Sequence, residues 1–426
     1  MRKVRLLLCR QTKHNKTLTT TLTSYYLLLS TSSLLLPPTC SPLTIAEIRC
    51  YNIRNLCGAR KVRYIWQQEA WPRMTGSAKD LEPLLSDAAY RQGRLLGKLS
   101  GIGFELRNQA GFEALSEEIS ASSAIEGETL NRADVRSSVA RRMEVVLSEP
   151  TTARSHALEA RVDLMMDATR NWAQPMTEAR LFGWHAALFP TGYSGLVKVR
   201  AGHYRDDAEG PMRVVSRYGS LERVHFQAPP AERLPAEMAA FLDALNAPFA
   251  RPPLVTAALA HLRFLTLHPF DDGNGRLARA LTEWLLARAE RSALRFYSLS
   301  AQIQREKDAY YEALERAQRG GLDVTRWIAW FVGCHARAVE AAEARLKAIL
   351  DKATFWQVHA QEDLNAHQRG MLNRLLDGFT GNLSSSKWAK ICKVSQDTAS
   401  REIAALVARG ILRQVGHGRS THYVLA

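Results

Sequence analysis

Long apolar runs are missing from this chain. Among its 426 residues no stretch of about 18 or more apolar residues occurs, so no membrane-spanning helix and no membrane partner are expected. Cysteine is sparse. Cys9, Cys40, Cys50 and Cys57 fall in the first segment, and Cys334 and Cys392 stand isolated. No Cys-x-x-Cys and no Cys/His pair has zinc spacing, which excludes a zinc module. The body therefore reads as a reduced, cytoplasmic protein. Acidic residues are nearly absent from one place only. Residues 1–65 hold 11 Lys and Arg against Glu47, a charge of +10, so the other 361 residues carry +5 of the total +15. A mildly basic body is not a polyelectrolyte binder. Hydrophobic content of 46% and charged content of 23% describe a globular protein, long enough for two or three domains.

Residues 1–62 differ from the rest. Thr, Ser and Leu dominate and no period holds. The segment reads as disordered or as a wrongly extended start, with a true start near Val62. A targeting segment is the alternative, but Ser30 to Ser33 interrupt the apolar run and no clean cleavage site follows.

Chemistry concentrates in His268-Pro269-Phe270-Asp271-Asp272-Gly273-Asn274-Gly275-Arg276-Leu277-Ala278-Arg279. Leu254 to Leu267 reads as an apolar helix before it. Leu277, Leu281, Trp284 and Leu285 recur at helical spacing after it. A turn that opens a helix presents unpaired N–H groups and a partial positive charge, which is an anion site. Gly273 and Gly275 admit a close approach. Arg276 and Arg279 share a face and can fork onto phosphate oxygens. Asp272 offers a hard oxygen for Mg2+ bridging such phosphates. His268 can be neutral at physiological pH and take a proton from a hydroxyl. No Walker lysine follows the glycines, and the aspartates do not fit an EF-hand loop.

This stretch resembles the Fic motif, His-x-Phe-x-Asp/Glu-Gly-Asn-Gly-Arg-x-x-Arg, at every fixed position: His268, Phe270, Asp272, Gly273, Asn274, Gly275, Arg276 and Arg279. The resemblance implies a mainly α fold, a Fic-type helical bundle with a small β-hairpin flap. It also implies transfer of AMP from ATP to a hydroxyl of a target protein. His268 would be the general base, Asp272 the Mg2+ ligand and Arg276 a further catalytic group. Gly273, Asn274, Gly275, Arg276, Leu277, Ala278 and Arg279 would line the ATP site, and Phe270 would anchor the loop.

Ser122-Ser123-Ala124-Ile125-Glu126-Gly127 admits two readings. Ser123 with Glu126 three later is a capping box that would open a helix. Ser122-x-x-x-Glu126-Gly127 also resembles the family's inhibitory motif, in which Glu126 would pair with Arg279 and so compete with the terminal phosphate. Ile65-Trp66, Trp71-Pro72 and a helix through Gln92-Gly93 resemble a small domain found ahead of Fic domains. Met212 to Val215 and Val224 to Phe226, around Tyr218-Gly219-Ser220, read as the single good hairpin of the helical region. The resemblance makes residues 212–226 the flap on which a target segment docks by strand addition. Arg305 to Gln318 reads as one helix, and the resemblance places one of its paired tyrosines, Tyr311, beside the adenine.

From Leu364 three helices (His367 to Leu376, Ser385 to Cys392, Thr398 to Arg409) and a hairpin spell a winged helix-turn-helix of α+β type. Gln396, Asp397, Ser400 and Arg401 on its third helix, with Arg419 at the wing tip, could touch phosphate and base edges. A protein-contact role is the alternative. The expected organisation is thus 1–62, an N-terminal helical domain with the inhibitory helix at 63–150, the catalytic domain at 151–350 and the winged module at 360–426. The leading expectation is an ATP- and Mg2+-dependent protein adenylyltransferase restrained by Glu126. The alternatives are an ATP-responsive DNA-binding regulator and a related enzyme that removes AMP or moves another phosphate-containing group. Partners are the target protein and a DNA or protein partner through 360–426; a homodimer is left open.

Overall fold

The computed structural model describes residues 6–8, 64–145, 155–218, 221–379 and 381–426. The readings made for residues 1–62 lie outside the described residues apart from Leu6–Leu8. Among the described residues the protein is mostly helical, 64% of them in 14 helices. It divides into two compact units. One runs to Gln92 and resumes over Phe112–Ala338, and the other comprises Gly93–Gly111 and Val339–Ala426. The first unit thus holds most of both the 63–150 and the 151–350 segments.

The helices in chain order are α1 (Ala78–Ser100), α2 (Phe104–Ile125), α3 (Arg132–Met143), α4 (His156–Arg170), α5 (Glu178–Leu188), α6 (Leu234–Asn246), α7 (Pro253–Leu267), α8 (Asn274–Glu290), α9 (Leu299–Arg305), α10 (Lys307–Gln318) and α11 (Thr325–Val358). The centre of the first unit is the α7–α8 pair. Both helices are buried almost all round: Ala257, Leu262, Phe264 and Leu267 on α7, and Leu277, Leu281 and Trp284 on α8. A helix apolar on every face has to be wrapped by others. Here α4 lies against α8 and α6 against α7. Pro253 starts α7 at its first turn, where a missing N–H costs nothing. Asn131 caps α3 by accepting from Ala133 N at 2.8 Å.

Five short strands accompany these helices among the described residues: β1 (Leu6–Leu8), β2 (Tyr193–Ser194), β3 (Val197–Lys198), β4 (Arg213–Tyr218) and β5 (Leu221–Gln227). β4 and β5 form the expected hairpin, with a register shift between Val214 and Val215, and β1 pairs with the other edge of β4. The hairpin buries Val215 and Phe226, and the Phe226 ring meets Tyr64 edge-on at 5.1 Å. Its base is tied to α10: Arg319 donates to the Val224 and His225 carbonyls at 2.6 and 2.8 Å.

Three expectations need correction. The 212–226 hairpin is not the only one in the helical region, because β2 and β3 make a second; two-residue strands are too short to show a period. The helix expected over Arg305 to Gln318 is broken at Glu306, which closes α9 and opens α10. Its carboxylate is gripped by Arg337 at 2.5 and 2.6 Å, a distant partner that no glycine or proline announces. Finally, Ser123 and Glu126 do not open a helix. They lie at the C-terminal end of α2, so the capping-box reading fails.

The second unit carries α12 (Ala366–Leu376), α13 (Ser385–Cys392), α14 (Gln396–Ala408), β6 (Leu412–Val415) and β7 (His422–Leu425), the element order expected of a winged helix. Its core gathers Met371, Leu372, Trp388, Ile403 and Leu406. Glu402 is buried among them, accepting from Trp388 Nε1 at 2.7 Å, Asn365 Nδ2 at 3.0 Å and His367 Nδ1 at 3.0 Å. On α14, Gln396, Asp397, Ser400 and Arg401 are exposed. Arg401 pairs with Asp397 at 3.2 Å, and Gln396 donates to Ser385 Oγ at 2.6 Å.

Candidate active site

The loop between α7 and α8 is built by its own residues. His268 ends α7 in the left-handed region (φ 48°, ψ 58°), a conformation that costs a residue with a Cβ. Phe270 is fully buried and stacks on His185 at 4.1 Å. The Asn274 side chain closes the turn, accepting from Phe270 N at 3.0 Å and donating to Phe270 O at 2.8 Å. What Asn274 offers a ligand is therefore its backbone. Gly273 caps α8 with φ 79° and no side-chain cap. A Cβ there would lie 2.9 Å from the Phe189 ring. Leu277 and Ala278 face the core. The first turn of α8 thus begins with glycine and keeps its N–H groups uncapped by side chains.

Over this turn lies the end of α2. Arg279, 2% exposed, donates through Nη2 to Glu126 Oε1 at 2.8 Å and to Ser122 O at 2.9 Å, and through Nε to Ser122 Oγ at 2.9 Å. Burial works against the guanidinium charge, but Glu126 together with the Tyr310 and Tyr311 hydroxyls raises the Arg279 pKa. Its Nη1 has no partner among the described residues. A Cβ at Gly275 would fall 2.1 Å from Glu126 Oε1 and 3.3 Å from Arg279 Nη1. The Glu126 carboxylate therefore occupies the space directly above the loop glycine. Gly127 turns the chain away at φ 86°.

Asp272 accepts from Gly273 N and from Ser194 Oγ, each at 2.6 Å, and lies 3.8 Å from Arg276 Nη2. Arg276 sits over the Phe189 ring at 5.1 Å. Burial, reinforced by the Arg205 charge, pushes the His268 pKa down to about 4, so its ring is neutral at pH 7. Tyr311 lies against Tyr310, ring centroids 5.1 Å apart. Lys307 stands 5.9 Å from the Tyr311 ring and donates to Ile125 O at 2.5 Å, at the end of α2. The His268 imidazole, the Asp272 carboxylate, an uncapped helix start and two arginines are thus brought to one place, with Glu126 and Ser122 on the second arginine.

The Fic/DOC family model matches residues 175–286, which hold the loop and α8. These residues form a Fic/DOC family domain. Residues 64–145 match a domain of unknown function, DUF4172, and residues 376–426 match the C-terminal domain of DIP2311-like transcriptional regulators. The chain is 38% identical over 129 residues to a protein adenylyltransferase Fic of Nematostella vectensis, 29% of this chain and 28% of that protein. It is 33% identical over 139 residues to a uridine 5'-monophosphate transferase of Xanthomonas campestris, 28% of this chain and 23% of that one. The chain therefore spans between a fifth and a third of the length of these relatives. Among solved structures it is similar to a Fic family protein from Desulfovibrio desulfuricans, with TM-score 0.46 and 22% identity, covering 81% of this chain and 96% of that one.

Several residues that shape the Fic loop were not anticipated from the sequence. Arg205, 3% exposed, ends the turn Gly202-His203-Tyr204-Arg205. It donates to His268 O at 2.8 Å, Pro229 O at 2.5 Å, Leu267 O at 3.4 Å and Asp207 Oδ1 at 2.8 Å. This fork holds the C-terminal carbonyls of α7 where His268 bends. His185 accepts from Gly202 N at Nδ1 (2.9 Å), which leaves its Nε2–H facing Asp272 O at 3.2 Å. Burial keeps it neutral, with its pKa down to about 4. Asp271 accepts from Arg200 N at 3.0 Å, and Ser194 brings β2 to Asp272. Glu128 reaches Arg161 Nη2 at 2.5 Å and Arg276 Nη1 at 3.4 Å. A glycine-containing turn ending in Arg205 is the one local signal available; the other partners are far away in sequence.

Proposed function

We propose that this protein transfers AMP from ATP to a hydroxyl side chain of a target protein, and that Glu126 restrains the reaction at rest. The observation that carries the reading is the uncapped glycine start of α8 with His268 at one end and Arg276 and Arg279 on its first turns. The target oxygen attacks the α-phosphorus, the bond to the β-phosphate breaks, and pyrophosphate leaves. The hydroxyl proton passes to the His268 ring nitrogen not engaged with the Leu265 carbonyl. The α8 N–H groups and Arg276 stabilise the charge that grows on the phosphoryl oxygens. Arg279, once free of Glu126, takes the outer phosphates.

Among the described residues no group of three or more His, Cys, Asp or Glu could hold a metal ion. Mg2+ commonly enters on one carboxylate, with water and substrate phosphates completing its shell. Asp272, 31% exposed at its side chain, would hold it, with Ser194 orienting the carboxylate. Bound there, the ion would neutralise phosphate charge. The flap formed by β4 and β5 would hold the target segment by strand addition. Tyr311 would line the adenine, residues 63–150 would carry the brake, and 360–426 would address a DNA or protein partner, in keeping with the regulator-like match there. Among the described residues no helix is long and apolar enough to cross a membrane.

The test is incubation of the full chain with α-labelled ATP or UTP. Glu126→Gly should raise label incorporation from ATP, and His268→Ala in that background should abolish it. Incorporation from UTP alone would transfer the reading to uridylylation, as in the Xanthomonas relative. No difference between the Glu126→Gly and the double variant would end it.

A further inference from the structure

We propose that Arg161 is a third arginine for the phosphate chain of the donor, and that Glu128 masks it at rest. Arg161 lies on α4, outside the motif. Arg161 and Arg276 line one small cavity of about 20 Å³ together with Ser122, Ser123, Met165 and Leu188. Both are largely buried, with side-chain exposures of 15% and 8%. Two cations do not share a buried wall without a reason. The one carboxylate that joins them is Glu128, 2.5 Å from Arg161 and 3.4 Å from Arg276. The arrangement is not saturated. Nε of Arg161 and Nε of Arg276 have no hydrogen-bond partner among the described residues. Burial lowers the Arg161 pKa, and the Arg276 charge adds to that.

The charges around the first turn of α8 balance at rest. Arg161, Arg276 and Arg279 meet Glu126, Glu128 and Asp272. Glu126 and Glu128 lie two residues apart on the segment that leaves α2 and crosses the site. When that segment withdraws, three guanidiniums face Asp272 alone, a net of +2. Such a surplus suits a triphosphate and is more than a monophosphate needs. Glu128 thus mimics one phosphate group against Arg161 and Arg276, as Glu126 does against Arg279. The inference rests on the proposed binding of a nucleoside triphosphate to the α8 loop.

Calorimetric titration of the full chain with AMP and with a non-hydrolysable ATP analogue, in Mg2+, tests it. In a Glu126→Gly, Glu128→Gln background, Arg161→Gln should weaken the ATP analogue by about 10- to 100-fold, the worth of a charge-assisted contact, and leave AMP within about twofold. Glu128→Gln alone, which keeps the fold intact if Arg161→Gln does not, should tighten the ATP analogue several-fold and leave AMP unchanged. Equal loss of both ligands on Arg161→Gln, or no change in ATP-analogue affinity on Glu128→Gln, overturns the role given to Arg161. Failure of the Glu126→Gly, Glu128→Gln protein to bind any nucleotide while Arg161 is intact removes the underlying reading as well, and is told apart by that intact arginine.

Discussion

Arg205→Lys is the substitution that weighs the loop most directly. Arg205 keeps its charge in the change but loses its fork. The guanidinium reaches three backbone carbonyls, His268 O, Leu267 O and Pro229 O, and the Asp207 carboxylate. One ammonium cannot span these directions, so about two buried acceptors lose their donor. Each unpaired acceptor costs roughly 1–3 kcal/mol, for a total of about 2–6 kcal/mol. The left-handed backbone of His268, at φ 48°, costs roughly 1–2 kcal/mol by itself and loses the contact that holds it. The proposed base then has an alternative, relaxed backbone, and a displacement of about 1 Å can lower a rate by about 100-fold. The expected result is a melting point lower by several degrees in scanning calorimetry, with initial rates of label incorporation in the Glu126→Gly background reduced about 10- to 100-fold. An Arg205→Lys protein with unchanged melting point and rates within about twofold would refute the clamp.

Three other outcomes follow from the same geometry. Gly275→Ala would place a methyl 2.1 Å from Glu126 Oε1, so it should displace the proposed brake yet still fail to raise label incorporation, because the methyl also fills the approach proposed for the phosphate; a gain equal to that of Glu126→Gly would contradict this. The His268 pKa is lowered to about 4, so the base stays unprotonated well below the ordinary value. Between pH 7.5 and 5.5 kcat/KM should show no fall assignable to His268, whereas a base titrating near 6.5 would lose about tenfold by pH 5.5. Glu402→Leu would orphan the buried Trp388 indole N–H at a cost of roughly 1–3 kcal/mol. Hydrogen exchange across residues 364–412 should accelerate accordingly, and unaltered protection would disprove the keystone role of Glu402 in that core.

What could be read from the sequence was local. The end of α7, the turn and the start of α8 were legible because glycines in a turn and a 3.6-residue apolar period on either side act over a few neighbours. The three helices and hairpin at the C-terminus were legible for the same reason. The contacts that set the chemistry act over long separations. Arg205 meets His268 across 63 residues, His185 meets Asp272 across 87, and Glu128 meets Arg276 across 148. No period or cap signals such pairs. The break at Glu306 is of this kind too, since Arg337 lies 31 residues on.

Ser122 to Gly127 divides the two kinds of information most clearly. By composition alone the segment could open a helix or close one, because a serine and a glutamate three apart serve a capping box as readily as any other contact. Packing decided between them. The hydroxyl and carbonyl of Ser122 are taken by Arg279, a buried cation that needs acceptors on every side it can find, and so the helix ends over the glycine loop with Glu126 turned onto the same guanidinium. Residue order determined which groups were available; desolvation of one arginine determined where they had to go.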